Sequence, residues 1–348
     1  MSKVSFYSIL LVVLFLSLTS SSSASTGGFA APAPLYSGGD GTAASPWQIS
    51  SVTDWQQLMA NPSHWDWDKH FILTEDLNLA GITLTPVGNG TIDFWGIFNG
   101  QGHVIRNATI NLPDTDYVGL FGILNQYARI RNLGVENVNI TGRNHVGALV
   151  GNSGFAKLTA CYATGSVSGK DWCAGGLVGK TWSGAITDCY ATCSVSGTNQ
   201  VGGLVGDSWG SLTACSATGS VAGTTNVGGL AGESRGAITA CSATGSVSGT
   251  DTVGGLVGFN CYNSVTDCYA TGSVSGTVSV GGLVGWTNWG SITGCYATGF
   301  VTGTTNIGGL CGRNWDSSIN SSFWDIQTSK LTYSAGGTGE MTADILSR

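Results

Sequence analysis

The sequence predicts an all-β fold, a parallel β-solenoid (β-helix) of about 27-residue coils with an N-terminal cap, and three observations carry that prediction. Val-Gly-Gly-Leu-Val-Gly or a close variant begins at Val146, Ala174, Val201, Val227, Val253, Val280 and Ile307, in steps of 28, 27, 26, 26, 27 and 27 residues. A second phrase, Cys-Tyr/Ser-Ala-Thr-Gly-Ser-Val-Ser-Gly with small variations, falls about midway through the first six units. Within that phrase small apolar residues alternate with hydroxyls. Cys189, Ala191, Cys193 and Val195 fall on one side, Tyr190, Thr192, Ser194 and Ser196 on the other. Strand side chains alternate faces, so the first set points inward around a narrow core. A β-propeller blade needs four strands and about 40 residues, which this unit cannot supply. No 3.6-residue periodicity supports a helical repeat. Coils stacked in register lie about 4.8 Å apart, so seven or eight of them make a rod of about 35–40 Å.

Residues 1–24 read as a signal peptide. Lys3 supplies the positive end, Ile9 to Leu18 an apolar stretch, and Ser22-Ser23-Ala24 a small-residue cleavage site. The apolar stretch is short for a bilayer span of about 20 residues, and no other stretch approaches its length, so no membrane span is expected in the mature chain. Residues 25–45 are rich in Ser, Gly, Ala and Pro and read as a linker. Residues 46–116 form an N-terminal cap and first coils, with Trp47, Trp55, Trp65, Trp67, Phe71, Phe94, Trp95 and Phe98. A solenoid's first coil exposes unpaired backbone, which a cap must cover. Asp54 is a plausible N-cap for a short helix to Met59. The stretches from Phe71 to Leu79 and from Trp95 to Ile105 alternate like strands. Residues 117–325 are the repeat solenoid, in which Val-Gly-Gly-Leu-Val-Gly reads as a strand with glycine corners. Residues 326–348 read as a tail.

Composition narrows the function. The 348 residues include 55 glycines yet keep 42% hydrophobic residues, which excludes a disordered glycine-rich tract. Charged residues are only 9% and the net charge is -7, so the positive footprint of a nucleic-acid binder is missing. Six of ten cysteines recur at one position: Cys161, Cys189, Cys215, Cys241, Cys268 and Cys295. Backbones about 4.8 Å apart would permit disulfides in an exported chain, but the side-chain torsion suits in-register strands poorly, and buried free thiols are preferred. Neither their even spacing nor that of His64, His70, His103 and His145 suggests a metal site, and no cofactor is expected.

Three surface constellations are candidates for function. Thr164, Thr192, Thr218, Thr244, Thr271 and Thr298 form an outward column beside a serine column from Ser166 to Ser273. Six residues before each ladder cysteine stand Phe155, Ser183 (beside Trp182), Trp209, Arg235, Tyr262 and Trp289. Of this corner, Trp182, Trp209, Tyr262 and Trp289 are the candidate binding residues, because rings offer apolar faces to sugar C–H groups. Corner residues that merely cover the core are the plainer alternative. Third, Lys180, Asp207 and Glu233 follow Gly-Gly-Leu-Val-Gly or its variant in successive coils, with Arg235 nearby. Two carboxylates one coil apart would perturb each other's protonation or hold Ca²⁺. Those two are the only starting point for an enzyme, a β-helix polysaccharide lyase or glycoside hydrolase, and one pair does not make such a site.

Together, Gly-Gly-Leu-Val-Gly and Cys-Tyr-Ala-Thr-Gly-Ser-Val resemble the GLUG repeat of bacterial surface and secreted proteins. That repeat occurs in adhesin-like proteins and beside the peptidase domain of some immunoglobulin A proteases. Ser37-Gly-Gly-Asp-Gly-Thr-Ala-Ala-Ser-Pro-Trp-Gln-Ile resembles the usual opening of such arrays. Phe323-Trp-Asp-Ile-Gln-Thr-Ser and Ala335-Gly-Gly-Thr-Gly resemble their exit. The resemblance brings no catalytic residue, and the His-Glu-x-x-His of the associated peptidases is absent. It implies a secreted or cell-surface, non-catalytic protein binding glycans or a cell-surface partner, with a structural spacer as a further possibility.

Overall fold

The computed structural model describes residues 36–60 and 66–346. The signal segment, residues 25–35 of the linker, His64 and Trp65 lie outside them. The described residues form one compact unit.

One coil shows how all are built. Tyr190–Ala191 and Ser194–Ser196 form a cysteine face, Asn199–Gly202 a first arm, Val205–Ser208 a second arm, and Ser211–Thr213 a threonine face. Each strand pairs in parallel with its equivalent one period away. Thus Val201 sits beside Val227, Val205 beside Ala231 and Leu212 beside Ile238. Cys189, Ala191, Cys193 and Val195 are buried and Tyr190, Thr192, Ser194 and Ser196 exposed, as the alternation requires.

Val-Gly-Gly-Leu-Val-Gly is not one strand. It folds as an arch whose arms lie in different sheets, with Gly203 and Leu204 at the bend. The glycines are there because the arms nearly touch: a Cβ on Gly202 would sit 2.0 Å from the Val205 carbonyl oxygen. A Cβ on Gly203 would sit 2.1 Å from the Gly229 carbonyl oxygen of the next coil.

The solenoid is longer than the repeat phrase suggests. The threonine-face sheet has eleven strands, from Trp47–Ile49 to Ser318–Asn320, so the non-repetitive N-terminal residues already coil. Eleven strands span about 48 Å, against the 35–40 Å expected from the phrase alone. The residues read as a tail also stack: Thr338–Glu340 pairs with Phe323–Asp325, flanked by short helices at Ile326–Ser329 and Thr342–Leu346.

The N-terminal coils are filled by rings. Helix α1 (Val52–Ala60) lays Trp55, fully buried, against Phe98 and Phe121 at 6.0 and 5.9 Å between centroids. The helix starts earlier than expected because Ser51, not Asp54, caps it. Ser51 Oγ accepts from the Asp54 N–H at 3.2 Å, and Asp54 Oδ2 accepts from the Ser51 N–H at 3.0 Å, a reciprocal capping box. The two expected N-terminal strands are each broken, into His70–Leu73 and Leu77–Asn78 and into Ile97–Asn99 and Val104–Arg106, because the chain turns a corner at each break.

The repeat coils are filled by thiols, methyls and valines. All ten cysteines are free and buried. The residue before each ladder cysteine takes a left-handed conformation, as at Ala214 (φ 52) and Ala240 (φ 53), which turns the corner but takes the cysteine N–H out of the regular ladder. The next coil's thiol satisfies it: Cys215, Cys241 and Cys268 donate to the following Sγ at 3.4, 3.3 and 3.4 Å. Each thiol in turn donates to the carbonyl two residues back, at 3.2 Å for Cys215 and Cys241. At the final coil Ser322 Oγ takes the same part, accepting from the Cys295 N–H at 3.2 Å. The column is a spine of hydrogen bonds. Burial holds the neighbouring Cys193 thiol up at about 12, so it stays protonated and apolar.

Candidate functional site

The second arm carries one register position that reads, coil by coil, Asn152, Lys180, Asp207, Glu233, Phe259, Trp286 and Arg313. The residue before each arch enters in a left-handed conformation, as at His145 (φ 55), Gln200 (φ 55) and Asn226 (φ 52). Gln200 and Asn226 meet that column. They donate to Glu233 Oε2 at 2.6 and 3.2 Å. Lys180 Nζ pairs with Asp207 Oδ2 at 2.9 Å, and Arg235 pairs with Glu233. Asp207 and Glu233 are 1% and 3% exposed, so sequence neighbours one coil apart do come together, but inside the wall. Burial pushes the Glu233 carboxyl above its ordinary range and the Asp207 charge adds to this, against the hydrogen bonds from Gln200 and Asn226 and the Arg235 charge. His145, stacked on Tyr117 at 5.0 Å, is held down at about 4 by burial, with the Lys180 charge acting in the same direction. No group of three or more metal-binding side chains is present among the described residues.

Two residues beyond that column the chain reaches the aromatic corner. Trp182, Trp209, Tyr262 and Trp289 are 41%, 37%, 71% and 55% exposed. Trp182 and Trp209 touch, with centroids 5.0 Å apart and planes at 52°. The Lys180 ammonium lies 4.6 Å from the Trp182 ring, and the Arg235 guanidinium 4.5 Å from Trp209. Trp209 Nε1 also donates to Asp207 Oδ2 at 3.2 Å. This half is a braced platform whose two cations are neutralised from beneath by Asp207 and Glu233. Tyr262 and Trp289 do not join it. Their second arms run one residue longer, Val257–Cys261 and Val284–Asn288, so both rings project from left-handed corners at φ 58 and 54, one residue further on.

The sequence reading passed over the aromatic half of the inner column. Phe259 and Trp286 lie 4.8 Å apart, and the Arg313 guanidinium lies 4.5 Å from Trp286 and 5.8 Å from Trp315. The signal was present: these residues occupy the same place after Gly-Gly-Leu-Val-Gly or its variant as Lys180, Asp207 and Glu233. The threonine column from Thr164 to Thr298 lies on the cysteine face and points outward, half-buried to exposed. Tyr162 and Tyr190, and Tyr269 and Tyr296, stack beside it at 4.8 and 5.1 Å.

Residues 171–196, 249–275 and 276–302 match the GLUG motif. These are GLUG repeats. Halomucin of Haloquadratum walsbyi is 35% identical over 144 residues, which is 38% of this chain and 2% of Halomucin. A "Putative Gly-rich membrane protein" of Evansella cellulosilytica is 31% identical over 132 residues, 35% of this chain and 15% of that protein. The chain thus spans a small part of the length of the curated relatives it matches. The solenoid also superimposes on the crystal structure of a "putative immunoglobulin A1 protease" from Bacteroides ovatus. The TM-score is 0.59 at 21% identity, over 89% of this chain and 88% of the other. At that identity the likeness is one of fold. No described helix is long and apolar enough to cross a membrane.

Proposed function

We propose that this chain is a secreted or cell-surface, non-catalytic, adhesin-like repeat protein that binds glycans or a glycan-bearing partner along its aromatic corner. The observation that carries the reading is the exposure of Trp182, Trp209, Tyr262 and Trp289 at four of five consecutive levels of one wall, Arg235 taking the level between Trp209 and Tyr262. Exposed indole and phenol faces pack on sugar C–H groups without costing much side-chain entropy, and the Trp182–Trp209 pair is already braced by Lys180 and Arg235. Several weak sites on one wall would gain by avidity. The names of the two curated relatives, a mucin-like one and a membrane protein, favour a surface setting. The competing enzyme reading rests on Asp207 and Glu233, whose burial and ion pairs leave little for a substrate to reach. A glycan array followed by titration of Trp209→Ala/Trp289→Ala tests the proposal: binding should weaken with circular dichroism unchanged. Product formation from a bound polysaccharide, lost in Asp207→Ala or Glu233→Ala, would replace it with the lyase or hydrolase reading.

A further inference from the structure

Six of the eleven Lys and Arg side chains among the described residues have a carboxylate within ion-pairing distance: Lys69, Arg106, Arg143, Lys170, Lys180 and Arg235. Three of the remaining five, Arg129, Arg131 and Lys157, stand together on the outer side of the threonine face. Arg129 pairs in register with Lys157 on the next coil, and Arg131 sits two residues along the same strand as Arg129. Equivalent positions on adjacent coils are about 4.8 Å apart, and alternate residues of a strand about 6.6 Å. Like charges placed directly side by side on a sheet repel. Among the described residues no carboxylate lies within ion-pairing distance of these three, although the chain as a whole carries -7.

The three cations line a shallow groove of about 500 Å³ with His70, Ile97 and Thr159. Arg129 is held in place, since one Nη donates to the carbonyls of Gln126, Tyr127 and Ala128 at 3.4, 3.1 and 2.8 Å. Toward the C-terminal end the strands of this face carry no charged residue. The exposed carboxylates Asp188 and Asp267 stand at the corner directly after Thr187 and Thr266, which leaves the three cations as the anion-holding end. The position of Arg131 and Thr159 continues as Thr187, Thr213, Thr239, Thr266 and Thr293, a second threonine column parallel to the first.

We infer that this groove is an anion site for an acidic polysaccharide, one carrying carboxylate or sulfate groups, whose chain runs on along the hydroxyl column. A fixed guanidinium beside a second guanidinium and an ammonium suits bidentate and point-charge contact with such groups. An open groove continuous with a flat hydroxyl row suits an extended polymer better than a compact anion. Nucleic acid is disfavoured because the single ring among the lining residues is the half-buried His70 imidazole, a poor platform for stacking successive bases. The site is distinct from the aromatic corner and takes a different class of sugar.

The test is calorimetric titration of the full chain with heparin, polygalacturonate, dextran and single-stranded DNA. At least one acidic polysaccharide should bind, more weakly as salt rises, and dextran should not compete for the groove. Arg131→Gln/Lys157→Gln, which leaves Arg129 anchoring its turn, should weaken that binding about tenfold or more, and Lys157→Glu should do the same at a single position. The corner variant Trp209→Ala/Trp289→Ala should leave it intact, so failure of the groove and failure of the corner read out separately. Unaltered acidic-polysaccharide affinity in both groove variants would overturn the inference. So would binding of DNA alone, or of no anionic polymer at all.

Discussion

The N-terminal coils and the repeat coils fill the same tube with opposite materials. Before about residue 125 a cluster of rings fills the inside: Trp55, Phe71, Phe94, Phe98 and Phe121 interlock at 5–6.4 Å and are almost fully buried, with Trp95 outside. In the repeats the inside is Cys, Ala, Val and Leu, and the rings of Trp182, Trp209, Tyr262 and Trp289 stand outside. The N-terminal coils depend on particular side chains fitting one another. Repeat coils depend on register, the thiol spine and arms too close for a Cβ, which frees their outer positions to vary from coil to coil. That freedom is why charge, aromatic and hydroxyl columns can share one scaffold.

The comparison breaks most sharply at Trp55. Trp55→Ala should cost about 3–5 kcal/mol in denaturant unfolding, since it empties the ring cluster at the capped end. A loss under about 1 kcal/mol would mean that the ring-filled end does not hold the first coils.

In the repeats the largest single effect should come from charge. Lys180→Ala leaves Asp207, 1% exposed, without its ion-pair partner and should cost about 3 kcal/mol. An unchanged midpoint would show that the pair contributes nothing to holding the arms together.

Cys241→Ala should cost about 1–3 kcal/mol because the Cys215 N–H loses its acceptor, while Cys241→Ser should recover part of that cost, as Ser322 does naturally at the last coil. Equal costs for both variants would mean that the cysteines only fill space.

The pH dependence is a finer probe. His145 is held down at about 4 in the folded chain against 6.5 for a free imidazole, so the unfolded state binds the proton first on acidification. Its contribution to stability is therefore present above about 6.5 and is lost as pH falls toward 4, amounting to about 1–3 kcal/mol. His145→Gln should flatten stability across that window. Titration of the His145 ring by NMR near 6.5 would remove the effect.

The period, the parallel stacking and the inward ladder were legible because each is a local pattern seen six or seven times over. Residues 46–116 gave no such repetition. That they would coil was readable only in part, because the column Trp47, Phe71, Phe98 and Ile130 changes residue type along its length. The arch was missed because Val-Gly-Gly-Leu-Val-Gly looks like one strand until the approach of Gly202 to Val205 is seen. At the corner, all four rings could be named from sequence. The split between the braced Trp182–Trp209 pair and the offset Tyr262 and Trp289 depends on one extra residue in two arms, which hexapeptide spacing does not show. The groove at Arg129, Arg131 and Lys157 lay at the junction between the non-repetitive coils and the repeats, where neither pattern draws attention to it.

The central claim is that rings moved from the inside to the outside of the coil serve recognition. The direct measurement is the affinity of the full chain for its best glycan-array ligand, compared with that of Trp209→Ala/Trp289→Ala. Both proteins should show the same circular dichroism and unfold cooperatively, the variant losing about 1–2 kcal/mol through the Trp209 contacts with Asp207 and Arg235, while its affinity falls about tenfold or more. Equal affinities in two folded proteins would contradict the account.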